Sequence, residues 1–200
     1  MESFLIYLQL GFEHITDLNG YDHILFILAL CAIYSIREWK KVLILVTAFT
    51  LGHSLTLGLA VLEIIQIDSA LIELLIPITI IFTCLANIIG YKHRNNTRSS
   101  YEPSNVYVQY FLAAIFGLIH GMGFSNYLKS LLGKGESIAL ELFAFNVGLE
   151  IGQLLIVSGS FVLAILFLEL INVRRSTWVM VSSGFIAGLS FHLLIEKWYF

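Results

Sequence analysis

The chain has 200 residues, 58% of them hydrophobic and only 12% charged, with a net charge of −3. A typical soluble domain carries about 25% charged residues, so this much apolar surface calls for lipid, and the slight acidity leaves no basic patch for nucleic acid. Cys31 and Cys84 sit far apart inside apolar runs and read as small core residues rather than a disulfide framework.

Met1-Glu2-Ser3-Phe4 offers no basic leader, and no small-residue cleavage site follows the first apolar run, so no signal peptide is expected. Residues 3–17 are too short and polar to cross a bilayer comfortably, which predicts an interfacial or re-entrant helix. Six segments then approach the roughly 20 apolar residues that a spanning helix needs. They are 21–36, 41–63, 70–91, 106–128, 139–171 and 177–197. The expected fold is an all-α membrane protein, a bundle of about six transmembrane helices plus the N-terminal helix, forming a single transmembrane domain over residues 1–200. Pro77 falls inside the third span, where it should kink the helix and free a carbonyl near Glu73. The stretch from Lys92 to Asn105, with Pro103, is the most loop-like.

Charge placement gives an orientation. Arg37, Lys40, Lys41, Lys92, Arg94, Arg98, Arg174 and Arg175 fall in alternate loops, and only Lys129, Lys134 and Lys197 lie on the opposite side. The positive-inside bias assigns the first group to the cytoplasm and the C-terminus to the outside. Glu13, Asp17, Asp22 and Asp68 then make an acidic outer mouth that concentrates cations.

Ionisable residues inside spans cost about 2.5–3.5 kcal/mol at a helix centre, and this chain places several at one depth. Asp22 and His23 open the first span, His53 is midway along the second, and Glu73 starts the third. His120 is in the fourth, Glu141 and Glu150 are in the fifth, and His192 is near the end of the sixth. Asn146, Glu150 and Gln153 share one face of the fifth span. Imidazole and carboxylate without a thiolate pair suit a borderline divalent metal, nickel or cobalt, with zinc also fitting. Asp22, His23, His53, His120 and Glu150 are the leading candidate ligands. His14, Asp17, Glu73, Glu141, Asn146, Gln153 and His192 form a second tier. Each candidate has a structural rival, since a buried His or Glu also serves as a hydrogen-bonding link between helices.

The segments Gly20-Tyr21-Asp22-His23, Phe49-Thr50-Leu51-Gly52-His53-Ser54, Phe116-Gly117-Leu118-Ile119-His120-Gly121-Met122-Gly123-Phe124 and Asn146-Val147-Gly148-Leu149-Glu150-Ile151-Gly152-Gln153 together resemble the HupE/UreJ family. These are small membrane proteins associated with hydrogenase and urease maturation and regarded as nickel or cobalt permeases. Asp22-His23 and Leu51-Gly52-His53-Ser54 also resemble the signature of the nickel/cobalt permease superfamily. That signature places a further His five positions before the Asp, where this chain has Asp17, with His14 eight positions before. The resemblance implies a bacterial inner-membrane transporter and not an enzyme. Its expected partners are the lipid bilayer, the metal ion, and a second copy or an accessory membrane protein. The rivals are an intramembrane metalloenzyme with a His/Glu-bound metal and a non-transporting subunit that binds metal or heme. No His-Glu-x-x-His motif and no nucleotide-binding motif occurs.

Overall fold

In a computed structural model of the protein, the structure describes residues 2–66, 68–94, 106–131 and 138–198. These residues form helices α1 (Glu2–Thr16), α2 (Asp22–Cys31), α3 (Trp39–Val61), α4 (Ser69–Arg94), α5 (Val106–Gly123), α6 (Ser125–Leu131), α7 (Ile138–Ile165) and α8 (Arg175–Trp198). A 3₁₀ turn, Ile36–Glu38, leads into α3, and a π-helical stretch, Leu166–Leu170, extends α7. No strand occurs among the described residues. Five helical stretches are long and apolar enough to cross a membrane: Ile36–Val61, Ser69–Gly90, Val106–Gly123, Ile138–Leu170 and Arg175–Trp198. Their outward faces carry large apolar side chains such as Leu51, Phe111, Val162 and Phe185, as a lipid-facing surface requires. The all-α membrane bundle read from the sequence is the observed fold.

The first expected span differs. Residues 21–36 do not make one helix, because α2 stops at Cys31 after ten residues, about 15 Å at 1.5 Å per residue. Nor does α1 lie apart from the bundle. Leu8 and Phe12 meet Gly148, and Ile15 and Thr16 meet Gly152, so α1 runs parallel to α7. Further along α7, the Cys31 thiol at the end of α2 meets Ser160. Helices α1 and α2 therefore follow α7 in the same direction and make one interrupted crossing, broken at residues 17–21. The break sits at Asp17-Leu-Asn-Gly20, a cluster of residues that favour turns. The expected fourth span, 106–128, likewise divides at Gly123, and Ser125 donates its hydroxyl back to the Met122 carbonyl.

After α2 the chain stays buried without being helical, with Ala32, Ile33 and Tyr34 in the core. Such backbone is tolerated at membrane depth only where protein satisfies it. Arg175 donates to the Ile33 carbonyl at 2.8 Å, and the Tyr34 hydroxyl donates to Gln109. Arg175 also pairs with Glu38, which closes a capping box with Ser35. This basic end gathers Arg37, Lys40, Lys41 and Arg174 as well. At the other end Lys197 pairs with Glu73, and Lys129 pairs with Glu63 and holds that carboxyl below its ordinary range. The loop expected at Lys92–Asn105 begins inside α4, and its remainder from residue 95, with Arg98 and Pro103, lies outside the described residues, as do Lys134, Glu136 and Phe200.

Glycines set the tightest packing. A Cβ at Gly52 would strike the Ala114 carbonyl oxygen, at Gly117 that of Phe49, and at Gly121 that of His53. These contacts advance together along both chains, so α3 and α5 are a parallel, nearly backbone-to-backbone pair. Helices α1 and α7 are a second such pair, through Gly11 and Gly148. Between the pairs sits the short, central α2.

Candidate metal centre

The break after α1 brings His14, in the last turn of α1, beside His23, in the first turn of α2. Their rings lie 4.6 Å apart. His53 reaches them from α3, with ring centroids 5.9 Å from each. One nitrogen from each of His14, His23 and His53 lies within 4.8 Å of the other two. A metal with bonds of about 2.0–2.1 Å holds its donors roughly 3–4 Å apart, so closing on an ion asks for shifts on the order of 1 Å.

The hydrogen bonds leave the right atoms open. His23 Nδ1 lies 2.8 Å from Asp22 Oδ1, so Nδ1 donates its proton to the carboxylate and Nε2 presents a lone pair. That Nε2, His14 Nε2 and both ring nitrogens of His53 are buried with no hydrogen-bond partner among the described residues. His53 is 0% exposed. A buried polar atom without a partner costs about 1–3 kcal/mol, and unpartnered nitrogens brought together from three histidines indicate a ligand. Phe124 and Phe145 cover the His14 ring, at 3.9 and 5.8 Å, and shield the cluster on that side.

His120, the last-turn histidine of α5, adjoins the three, with its ring 5.1 Å from that of His23. The Thr79 hydroxyl donates to the Ile76 carbonyl at 2.7 Å. Its oxygen therefore accepts from His120 Nε2, 3.2 Å away. This fixes the tautomer, and His120 Nδ1 is left as a buried lone pair without a partner. Helices α1 and α5 carry their histidines at their negative ends, which favour a cation, and Asp22 offsets the positive end of α2. A cleft of about 320 Å³ reaches the cluster, lined among others by His14, Asp17, Asp22, His23, Glu73 and His120.

A family profile described as HupE / UreJ protein matches residues 1–199. The chain belongs to the HupE/UreJ family. Comparison with curated proteins and with solved structures finds no match.

In this HupE/UreJ protein the candidate residues divide by position. Asp22, His23, His53 and His120 come together, and His14, placed in the second tier by its spacing, joins them because the break folds α1 and α2 against one another. Glu150 does not join. Its carboxylate accepts from Thr47 at 3.0 Å, on a polar seam between α3 and α7. In the same seam Gln153 accepts from Thr50 and Asn146 accepts from Ser54. The i, i+4, i+7 pattern fixes the shared face of α7, and that face looks at the flank of α3 next to His53. His192 points outward at 62% side-chain exposure and contacts Glu196. Glu141 is buried at the start of α7. Asp17 caps the break, accepting from the Asn19 backbone, and with Glu73 it lines the cleft's mouth. Thr79 is not among the candidates expected from the sequence, although Thr79, Thr83 and Asn87 recur at four-residue spacing on one face of α4.

Proposed function

We propose that the chain is a permease for a divalent transition-metal cation, nickel or cobalt, working in a bacterial inner membrane with the C-terminus outside. The observation that carries this reading is the convergence of His14, His23 and His53, with unpartnered buried nitrogens, at the inner end of a cleft whose mouth holds Asp17, Asp22 and Glu73. The carboxylates draw in the hydrated cation, and the imidazoles exchange for its water. Three nitrogen donors beside one carboxylate favour nickel or cobalt over magnesium and calcium, which prefer oxygen. Histidine also binds copper and zinc, so the choice between these metals is made by measurement. The site sits within the bundle rather than on a soluble surface, which suits a cargo in transit.

No nucleotide motif occurs in the sequence, and the driving force comes from the cation gradient, the membrane potential, a coupled ion or a partner. A divalent cation moving inward gains about 4.6 kcal/mol per 100 mV, twice the single-charge value. The test is elemental analysis of the purified protein, followed by uptake of radioactive nickel and cobalt into proteoliposomes. Saturable uptake that is lost in His23→Ala supports the permease. Tight binding without flux would turn the reading toward a metal-holding assembly subunit.

A further inference from the structure

We infer that the cation leaves the histidine cluster through His120 and along α4, between α2 and α5, and that Phe26 and Phe49 are the gate on this route. The inference rests on the permease reading and names the path it would use. His120 is 0% exposed and keeps a bare Nδ1 beside the three-histidine group. From its Nε2 a line of buried oxygens runs toward the basic end. Thr79 bonds His120, and the Thr83 hydroxyl donates to the Thr79 carbonyl at 2.8 Å. Asn87, one turn further, donates to the Ala29 carbonyl at 2.8 Å. Thr79, Thr83 and Asn87 are 5%, 8% and 8% exposed, so this polar face of α4 is turned inward and not to lipid.

A second cavity, about 70 Å³, lies at the far end of the line, bounded by Thr83, Asn87, Tyr34, Gln109 and Phe116. Between it and His120 stands an aromatic plug. Phe26 lies 5.2 Å from the His120 ring, 4.9 Å from Phe49 and 5.9 Å from Phe116, which lines the cavity. Phe49 is also 5.2 Å from His120. The cluster is therefore open to one end of the bundle and closed by apolar rings toward the other, which is half of an alternating-access cycle. The seam on the opposite side of His53 is a poorer path. The Thr47, Thr50 and Ser54 hydroxyls donate across to Glu150, Gln153 and Asn146, so opening the seam would part α3 from α7, whereas the Thr79 and Thr83 hydroxyls donate within α4.

The experiment uses the full chain in proteoliposomes with Cys31→Ala and Cys84→Ala as background. Thr83→Cys, on the route, and Thr47→Cys, on the seam, are each treated with a small cationic methanethiosulfonate, and radioactive nickel uptake is followed. Modification at Thr83→Cys is expected to lower uptake at least about tenfold, the effect of ~1.4 kcal/mol on a barrier, with Thr47→Cys changed less than about twofold. The reverse pattern, or equal loss at both, overturns the route. Thr83→Val needs no labelling and keeps the side-chain shape. It should slow uptake by a similar factor with nickel affinity and melting temperature unchanged, and undiminished uptake overturns the route. If the unsubstituted protein moves no nickel or cobalt, the permease reading itself falls and the route falls with it, which is distinct from normal uptake that ignores Thr83.

Discussion

At His53 full burial meets two ring nitrogens that bond to nothing among the described residues. A histidine kept only to hydrogen-bond between helices has at least one partner; His53 has none among the described residues, whereas Asp22 orients His23 and Thr79 holds His120. Substituting His53 by alanine should therefore abolish nickel binding, with a loss beyond the roughly 10–100-fold typical of disturbing an outer shell. The melting temperature should hold or rise, because a buried unpaired group is removed. His53→Gln should bind no better. Calorimetric titration and thermal melts on the same samples check this, and unimpaired binding in His53→Ala would remove the residue from the site. The same titration separates neighbours. His14→Ala should fail like His53→Ala, whereas His192→Ala and Glu150→Gln should bind normally, since their side chains face outward and toward Thr47. Imidazole binds metal only when neutral, so protons compete. Affinity should therefore fall as the solution is acidified. An affinity that rises on acidification would exclude imidazole ligation.

The helix pairs explain why some glycines matter and others do not. Gly148 and Gly159 lie on the same helix and look equivalent in the sequence. A Cβ on Gly148 would enter the Leu8 carbonyl, whereas one on Gly159 would meet nothing within 4 Å. Gly148→Ala should thus push α1 off α7 and destabilise the protein by about 1–3 kcal/mol, the usual cost of overpacking. Because α1 carries His14, nickel affinity should fall too. Gly159→Ala should melt no lower than the parent, alanine being the better helix former. Thermal melts in detergent decide between them, and equal behaviour of the two variants would contradict the parallel α1–α7 pairing. Glycine spacing announces close packing in the sequence but cannot say which helix approaches. The same limit explains Glu150. Periodicity placed it correctly on a polar face of α7, and only the packing of α3 shows that this face meets Thr47, Thr50 and Ser54 rather than the imidazoles. The break at residues 17–21 hid His14 for a related reason. Apolar runs mark where chain is buried, and Asp17 to Gly20 mark a turn, but neither tells whether α1 turns away along the surface or continues the same crossing.

For the whole molecule, hydropathy made the bundle legible, and three of the four motif segments held His23, His53 and His120, because a polar side chain in a long apolar run stands out against its surroundings. What hydropathy cannot supply is direction, and direction decides the physiology. The bundle has a basic end at Arg37, Lys40, Lys41, Arg174 and Arg175, and the histidine cleft opens at the other, near Glu73 and Lys197. With α1 and α2 as one interrupted crossing beside five long ones, the chain crosses six times and both described ends lie on the cleft side. The positive-inside bias assigns the basic end to the cytoplasm. In a Cys31→Ala, Cys84→Ala background, an impermeant maleimide should then reach Ser3→Cys and Asp68→Cys from outside intact cells, and Lys40→Cys and Arg174→Cys only after permeabilisation. Ser3→Cys and Asp68→Cys labelling from opposite sides would break the interrupted crossing, since α1 would no longer run with α7. Lys40→Cys labelling from outside would instead keep the fold and reverse the protein in the membrane. The cleft would then face the cytoplasm, the membrane potential would oppose movement of a cation from the cluster outward, and export along that path would require a coupled ion. The labelling result therefore selects the direction of the gradient to impose in the nickel and cobalt flux assays.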